Sequence, residues 1–243
     1  MNWHSRYVQQ ASWSRALRAH ALARARLPEA HRVLEVGCGT GAVLMDVPGR
    51  GRQVFGLDLD GAALTQCREH VPAARLVRGD ALALPFKERS LDVVWCHYLL
   101  LWVADPIGAL REMKRVTASG GWVLALSEPD YLSREDAPVG LVELGRLQTA
   151  ALKAQGADPG FGRRLSAAFL AAGLKLVEAG TLERMDASAQ REQRDAEWEI
   201  IEWDLRPLVS PAELEDWRRL DLEAWTRGER HMHVPTYFAL GRA

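Results

Sequence analysis

Between residues 32 and 127, short apolar runs alternate with helical stretches. The runs at 32–36 (RVLEV), 53–58 (QVFGLD), 74–78 (ARLVR), 91–96 (LDVVWC) and 121–127 (GWVLALS) are continuous and of strand length. That pattern predicts strands buried on both faces. Asp60 is placed to cap a helix reaching to about residue 70. Asp105 caps another, with Pro106 at its first position and Ile107, Leu110 and Met113 on one side. Gly120-Gly121 is expected to close that helix and turn the chain into the next strand. Strand–helix alternation of this kind predicts a parallel sheet with right-handed crossovers.

Beyond residue 128 the rhythm changes. Residues 134–154 read as one long helix, and the run Gly156-Ala157-Asp158-Pro159-Gly160 breaks it. A helix at 162–172 ends at Gly173, and 174–180 reads as a sixth strand. Residues 188–228 are helical, polar and Trp-bearing, and 234–241 reads as a last strand. There is no repeat or low-complexity tract. The expectation is one domain over 1–243, with an N-terminal helix at 1–30, a core at 31–130 and helical elements at 131–172 and 181–232.

Composition narrows the partners. The 31 basic and 32 acidic residues give a net charge of −1, which disfavours a general nucleic-acid field. Cys38, Cys67 and Cys96 lie far apart with no CxxC pair, as in a reducing, cytoplasmic compartment. No apolar run approaches the ~18 residues of a membrane span. Residues 1–28 hold no acid and carry Arg6, Arg15, Arg18, Arg24 and Arg26. An organellar transit peptide has this composition. The spacing of Trp13, Leu17 and Ala21 instead predicts an amphipathic first helix running into the first strand.

The densest chemical signal is VLEVGCGTGAVL at 33–44. A strand ends at Val36, Gly37, Gly39 and Gly41 follow, and a helix is expected to start there. Such glycines let the backbone bend and let a ligand approach the main chain. A helix N-terminus would add free amides and partial positive charge. Asp58 ends the next strand 21 residues after Gly37, where a carboxylate can accept both hydroxyls of a ribose. Gly37-x-Gly39-x-x-Ala42 also satisfies the dinucleotide fingerprint, so an NAD-dependent oxidoreductase is one reading. Glu35 opposes it. A carboxylate at the strand tip repels a pyrophosphate and suits a ligand carrying an ammonium or sulfonium.

These residues resemble the class I S-adenosylmethionine-dependent methyltransferases, in particular the small-molecule branch of the ubiquinone/menaquinone-biosynthesis type. The resemblance rests on Glu35–Gly41, Val54–Leu59, Gly79-Asp80-Ala81 with Leu84-Pro85-Phe86, Leu91–Val94, and Arg115-Val116 leading to Gly120-Gly121, in that order. It implies a Rossmann-like, doubly wound α/β fold with a seven-stranded, mostly parallel sheet and an antiparallel last strand. It also implies that Glu35, Gly37, Cys38 and Gly39 cradle the methionine part of S-adenosylmethionine, with S-adenosylhomocysteine as product. Asp58 would hold the ribose and Leu59 pack on the adenine. Asp80 and Ala81 would meet the adenine edge, and Cys96 and His97 the methionine end. The pattern Arg6-Tyr7…Gln10…Trp13…Leu17-Arg18 is similar to a cofactor-covering helix, which nominates Tyr7, Trp13 and Arg18. Many relatives place a His before the Trp that follows the fourth strand. Here Leu101 precedes Trp102.

Methyl transfer from a sulfonium is mainly a matter of alignment, which can supply about 7–11 kcal/mol of barrier lowering without a catalytic side chain. If the acceptor must lose a proton, His97, Tyr98 and Glu128 near the sheet edge are the candidates for a base, and of these only His97 is carried as a catalytic nomination. Tyr98, Trp102, Glu128 and Trp203 are the candidates for the wall around a small-molecule acceptor. His231-Met232-His233 lacks supporting ligands, so no metal is assigned. The chain carries nine Trp against five Phe and four Tyr. Trp198, Trp203, Trp217 and Trp225 fall in the late helical segment, which reads either as a cover over the acceptor or as a self-packed addition. A non-catalytic cofactor- or partner-binding module is the remaining alternative. The acceptor, the methylated atom and the oligomeric state are not legible.

Overall fold

The computed structural model describes residues 3–47, 49, 51–182 and 187–243. The apolar runs form β1 (Arg32–Val36), β2 (Gln53–Asp58), β3 (Arg75–Arg78), β4 (Leu91–Cys96) and β5 (Thr117–Pro129). Four later strands are β6 (Glu135–Ala137), β7 (Lys175–Thr181), β8 (His231–His233) and β9 (Thr236–Arg242). The main sheet has seven strands in the order β3-β2-β1-β4-β5-β9-β7. All neighbours are parallel except β9, which runs antiparallel to both β5 and β7. This is the expected Rossmann-like α/β sheet. Strand order reverses between β1 and β4, and in such sheets a crevice opens beyond the carboxyl ends at that point.

Helices cover both faces: α1 (Trp3–Trp13), α2 (Arg15–Arg24), α3 (Gly61–His70), α4 (Pro106–Val116), α5 (Val142–Ala154) and α6 (Leu165–Ala171). Three more follow: α7 (Ala187–Glu192), α8 (Arg194–Leu205) and α9 (Pro211–Arg227). Alternate residues of each strand feed opposite layers. Leu34, Val36 and Val94 pack with Leu110 and Met113 on one face, while Val33, Val54 and Trp95 pack on the other. Asp60 and Asp105 cap α3 and α4 as their sequence position predicts, accepting from Ala62 and Gly108.

Several elements differ from expectation. The expected helix at 134–154 begins at Val142, because the residue before Pro138 is disfavoured in helix and Pro138 lacks a donor. Residues 135–137 pair instead with β8. Helix α4 ends at Val116, and Gly120-Gly121 lie inside β5. The N-terminal segment is two helices broken at Ser14. No α-helix follows the glycine loop. Only six residues separate Gly41 from Pro48, and Leu44–Asp46 form a single 3-10 turn. The expected helical segment at 181–232 includes residues 183–186, which lie outside the described residues. Its remainder holds α7, α8 and α9, divided near Pro207 and Pro211. Among the described residues no helix is long and apolar enough to cross a membrane.

Helices α5, α8 and α9 share a core of their own. Leu144, Trp198, Ile201, Leu205, Leu214 and Ala224 are buried together there. Most of the late Trp surplus is thereby explained: Trp198 is 2% exposed and donates to Asp221 Oδ2 at 2.8 Å. Trp203 is the exception, exposed and in edge-to-face contact with Trp3 at 5.8 Å.

Candidate active site

The glycine loop is fixed by the strand beside it. The N–H groups of Gly37 and Cys38 both donate to Leu57 O, at 2.7 and 3.0 Å. Gly37 has φ +73°, and a Cβ there would lie 2.7 Å from Leu99. The positive φ is what calls for glycine here, and the Leu99 side chain would also have to shift for any larger residue. Asp58 closes the loop from below. Its Oδ2 accepts from Gly39 N at 2.7 Å and its Oδ1 from Asp60 N at 2.9 Å. Each carboxylate oxygen retains a lone pair for a ligand hydroxyl.

These groups face a cavity of about 400 Å³ over the carboxyl ends of β1, β2 and β4. Glu35, Gly37, Cys38, Gly39, Asp58 and His97 line it, and Tyr7 of α1 roofs it. Glu35 is 2% exposed and its Oε2 has no hydrogen-bond partner among the described residues. Burial, before any neighbouring charge, holds its carboxyl well above the usual range. A buried carboxyl with one oxygen unfilled is costly, and a cation offered by a ligand would satisfy it. The donor set fits an amino-acid-bearing nucleoside: an orphan acid for an ammonium, glycine backbone for close approach and Asp58 for a ribose.

The remaining nominated residues are placed as follows. Arg18 lies behind the wall, donating to Ser14 Oγ at 2.7 Å and also to Ala11 O and Asp46. Trp13 faces the neighbouring cavity instead, bonded to Gln193 with Arg6 5.0 Å above its ring. Leu59 is 65% exposed, Asp80 accepts from Leu82 N at 2.9 Å, and neither they nor Ala81 line the cavity. Cys96 is fully buried. Tyr98 and Trp102 line the cavity, Tyr98 with φ +52°. Glu128 and Trp203 line neither cavity.

Glu128 has a different task. It is fully buried and accepts from three consecutive amides: Leu99 at 3.2, Leu100 at 3.1 and Leu101 at 3.2 Å. The clamp fixes the segment that carries His97, Tyr98 and Trp102 into the cavity. Burial raises its carboxyl to about 7, against the lowering by those amides. His97 Nε2 lies 2.7 Å from Ser14 Oγ. Burial and then the Arg18 charge depress it to about 3, so the imidazole is neutral and weakly basic.

A second cavity of about 460 Å³ adjoins the first beneath α1, α8 and α9. Arg6, Tyr98, Tyr131 and Gln148 line both. Arg6 is bonded to Glu197, which ties α1 to α8 across the two. A buried network forms the far wall. Arg134 Nε donates to Asp136 Oδ2 at 2.6 Å, Arg230 Nε to Asp221 Oδ1 at 2.6 Å and Arg230 Nη2 to Asp136 Oδ1 at 3.0 Å. None of Arg134, Gln148, Glu197 or Arg230 carries a local sequence signal, because each also meets a partner far along the chain: Met232, Asp204, Arg6 and Asp136 respectively. Among the described residues no group of three or more His, Cys, Asp or Glu could hold a metal. His231 Nε2 faces Glu135 Oε2 at 3.4 Å.

A glycine-loop cavity at the switch point of a Rossmann-like sheet, with a ribose-side carboxylate and a buried acid, defines an enzyme of the nucleoside-cofactor class. Comparison with known proteins narrows it. A family model described as "Methyltransferase domain" matches residues 34–125. Over 118 residues the chain is 39% identical to the malonyl-[acyl-carrier protein] O-methyltransferase of Erwinia pyrifoliae, a match covering 49% of this chain and 45% of that protein. The chain thus spans about half the length of that relative. It is 30% identical to the trans-aconitate 2-methyltransferase of Variovorax paradoxus over 243 residues, 91% of this chain and 90% of that protein. A SAM-dependent methyltransferase from Thermotoga maritima, described as a possible histamine N-methyltransferase, shares the fold. Its TM-score is 0.59 over 99% of this chain and 95% of that one, at 16% identity. The chain belongs to the S-adenosylmethionine-dependent methyltransferases.

Proposed function

We propose that the chain transfers the methyl group of S-adenosylmethionine, bound over the glycine loop, to a small molecule held in the adjoining cavity. The observation that carries this reading is the orphan Glu35 Oε2 in the same cavity as Gly37, Gly39 and Asp58. When bound, the sulfonium supplies an already activated methyl group, so the protein's task is alignment. Glu35 pairs with the ammonium, Asp58 holds the ribose hydroxyls, and Tyr7 covers the nucleoside. The exposed Leu59 and Asp80 meet the adenine outside the cavity lining, and the buried Ala81 offers it only its backbone amide. Cys38 and Cys96 shape the cavity from behind, while Trp13 and Arg18 hold α1 and α2 in place over it.

The acceptor side is built by Tyr98 and Trp102, with Trp203 supporting α1 from outside through Trp3. Glu128 fixes the Tyr98 segment rather than touching the acceptor. The Variovorax relative, similar over nine-tenths of both chains, is named for methyl transfer onto trans-aconitate, which supports a small-molecule acceptor. The test is methyl transfer from labelled S-adenosylmethionine into the small-molecule fraction of a cell extract. Label appearing there with wild type and not with Asp58→Ala supports the reading. Transfer only to protein or nucleic acid contradicts it.

A further inference from the structure

We infer that the acceptor is a carboxylate, held by the arginines of the outer cavity and converted to its methyl ester. This deepens the methyl-transfer reading and rests on it. Two independent features of the site point to it.

The first is the junction between the cavities, where the methyl group must cross. Its shared residues are Arg6, Tyr98, Tyr131 and Gln148. None accepts a proton at neutral pH. A guanidinium is always protonated and an amide is not basic. Burial pushes both phenols above their ordinary range, so neither becomes a phenolate. His97, on the cofactor side, is depressed to about 3. Glu197 is occupied through both oxygens by Arg6. A neutral hydroxyl or an ammonium would find no group among these four to take its proton; His233 lines the outer cavity but is not one of the shared residues. A carboxylate arrives ionised, since its ordinary pKa is about 4.

The second is the charge of the wall. Arg6, Arg134, Arg194 and Arg230 line the outer cavity, each with a carboxylate partner: Glu197 for Arg6, Asp221 for Arg230 and, at the exposed rim, Asp195 for Arg194. Asp136 stands behind the wall and is shared between Arg134 and Arg230. Nη2 of Arg134 also faces Met232 Sδ at 3.5 Å, a weak acceptor that an anionic oxygen would displace. Guanidinium forks match carboxylates bidentately, which fixes orientation as well as charge.

The step balances without a base. One carboxylate oxygen donates a lone pair to the methyl carbon as the carbon–sulfur bond breaks, and that bond's electron pair stays on sulfur. The negative and positive charges cancel, leaving a neutral ester and a neutral thioether. No proton is taken up or released.

The experiment offers the full chain labelled S-adenosylmethionine with short-chain mono-, di- and tricarboxylic acids, and with their primary amides, phenols and amines as controls. Calorimetry on the S-adenosylhomocysteine-loaded protein measures acid binding separately from turnover. Arg134→Gln tests the buried wall, and Arg194→Gln tests the more exposed rim without disturbing that network. The inference expects a product that releases labelled methanol in mild alkali. It also expects each variant to weaken acid binding at least about tenfold, with S-adenosylhomocysteine binding unchanged. Alkali-stable methylation of a control, or acid binding unaltered in both variants, overturns the carboxylate assignment while leaving methyl transfer intact. Failure of the unmodified chain to bind S-adenosylhomocysteine overturns the underlying reading, and this inference with it.

Discussion

Asp58 Oδ2 accepts the backbone N–H of Gly39 at 2.7 Å, so one carboxylate both shapes the glycine loop and faces the cavity that the loop encloses. Loss of this group removes a loop anchor and a ligand acceptor together. Asp58→Ala is expected to weaken S-adenosylhomocysteine binding at least about 100-fold, because two charge-assisted hydrogen bonds are lost with it. Asp58→Asn, which retains one acceptor oxygen, should lose less. Isothermal titration of the two variants checks the order.

Glu35 makes opposite demands on the empty and loaded protein. Its buried, raised carboxyl stabilises the fold only in the acid form, so its contribution is full below the unfolded pKa and is lost as pH rises through the folded one. Glu35→Gln should therefore leave the unliganded protein at pH 8 as stable as wild type or more so. The same change should weaken cofactor binding about tenfold or more, since an amide oxygen can accept from an ammonium but carries no opposite charge. Urea melts with and without S-adenosylhomocysteine measure both effects.

Glu128 predicts a pH dependence of stability. Its carboxyl is raised to about 7 in the fold, against about 4.5 when free. The folded state therefore holds a proton that the unfolded state releases between those values. Stability from this group is fully present below about pH 4.5 and is lost as pH rises through about 7, an effect on the order of 3 kcal/mol. Glu128→Gln should flatten the stability profile across that window, as read by denaturant midpoints at pH 5, 6, 7 and 8. An unchanged slope counts against the assignment.

His97 should prove dispensable as a base. Its imidazole titrates near 3 and is engaged by Ser14 at 2.7 Å. His97→Asn is expected to keep turnover within about tenfold of wild type, whereas loss of a true general base costs about 100-fold or more. The pH–rate profiles of the two proteins should coincide, with no ionisation that His97→Asn removes.

Arg6 and Glu197 join α1 to α8 with side chains only 9% and 18% exposed. A double-mutant cycle with Arg6→Met and Glu197→Gln should give a coupling energy of about 1–3 kcal/mol in stability. Either single change should cost more than the pair, because it strands a buried partner.

Much of this architecture is legible in the chain because its causes are local. The strands at 32–36 and 91–96 need only their own apolar runs, and the caps at Asp60 and Asp105 need only neighbours within three residues. The glycine loop carries its own conformational requirement at Gly37. The outer cavity is not legible, because its residues meet across long separations. Gln148 bonds Asp204, Trp198 bonds Asp221, and Arg6 reaches Glu197 over 191 positions. Glu128 was open to a reading as an acceptor contact because nothing in SEPD at 127–130 tells that its carboxylate turns toward the amides of 99–101. The expected helix after Gly41 fails for a local reason that the sequence does contain, namely Pro48 seven positions later.

The most direct test of the central claim is a calorimetric comparison of S-adenosylhomocysteine and NAD binding to the wild-type chain. The account predicts stoichiometric binding of S-adenosylhomocysteine, reduced by Glu35→Gln and by Asp58→Ala, with NAD at least about 100-fold weaker because a pyrophosphate brings no ammonium to the buried Glu35 carboxyl and opposes its ionisation. Tighter binding of NAD, or binding of S-adenosylhomocysteine that neither substitution alters, would contradict it.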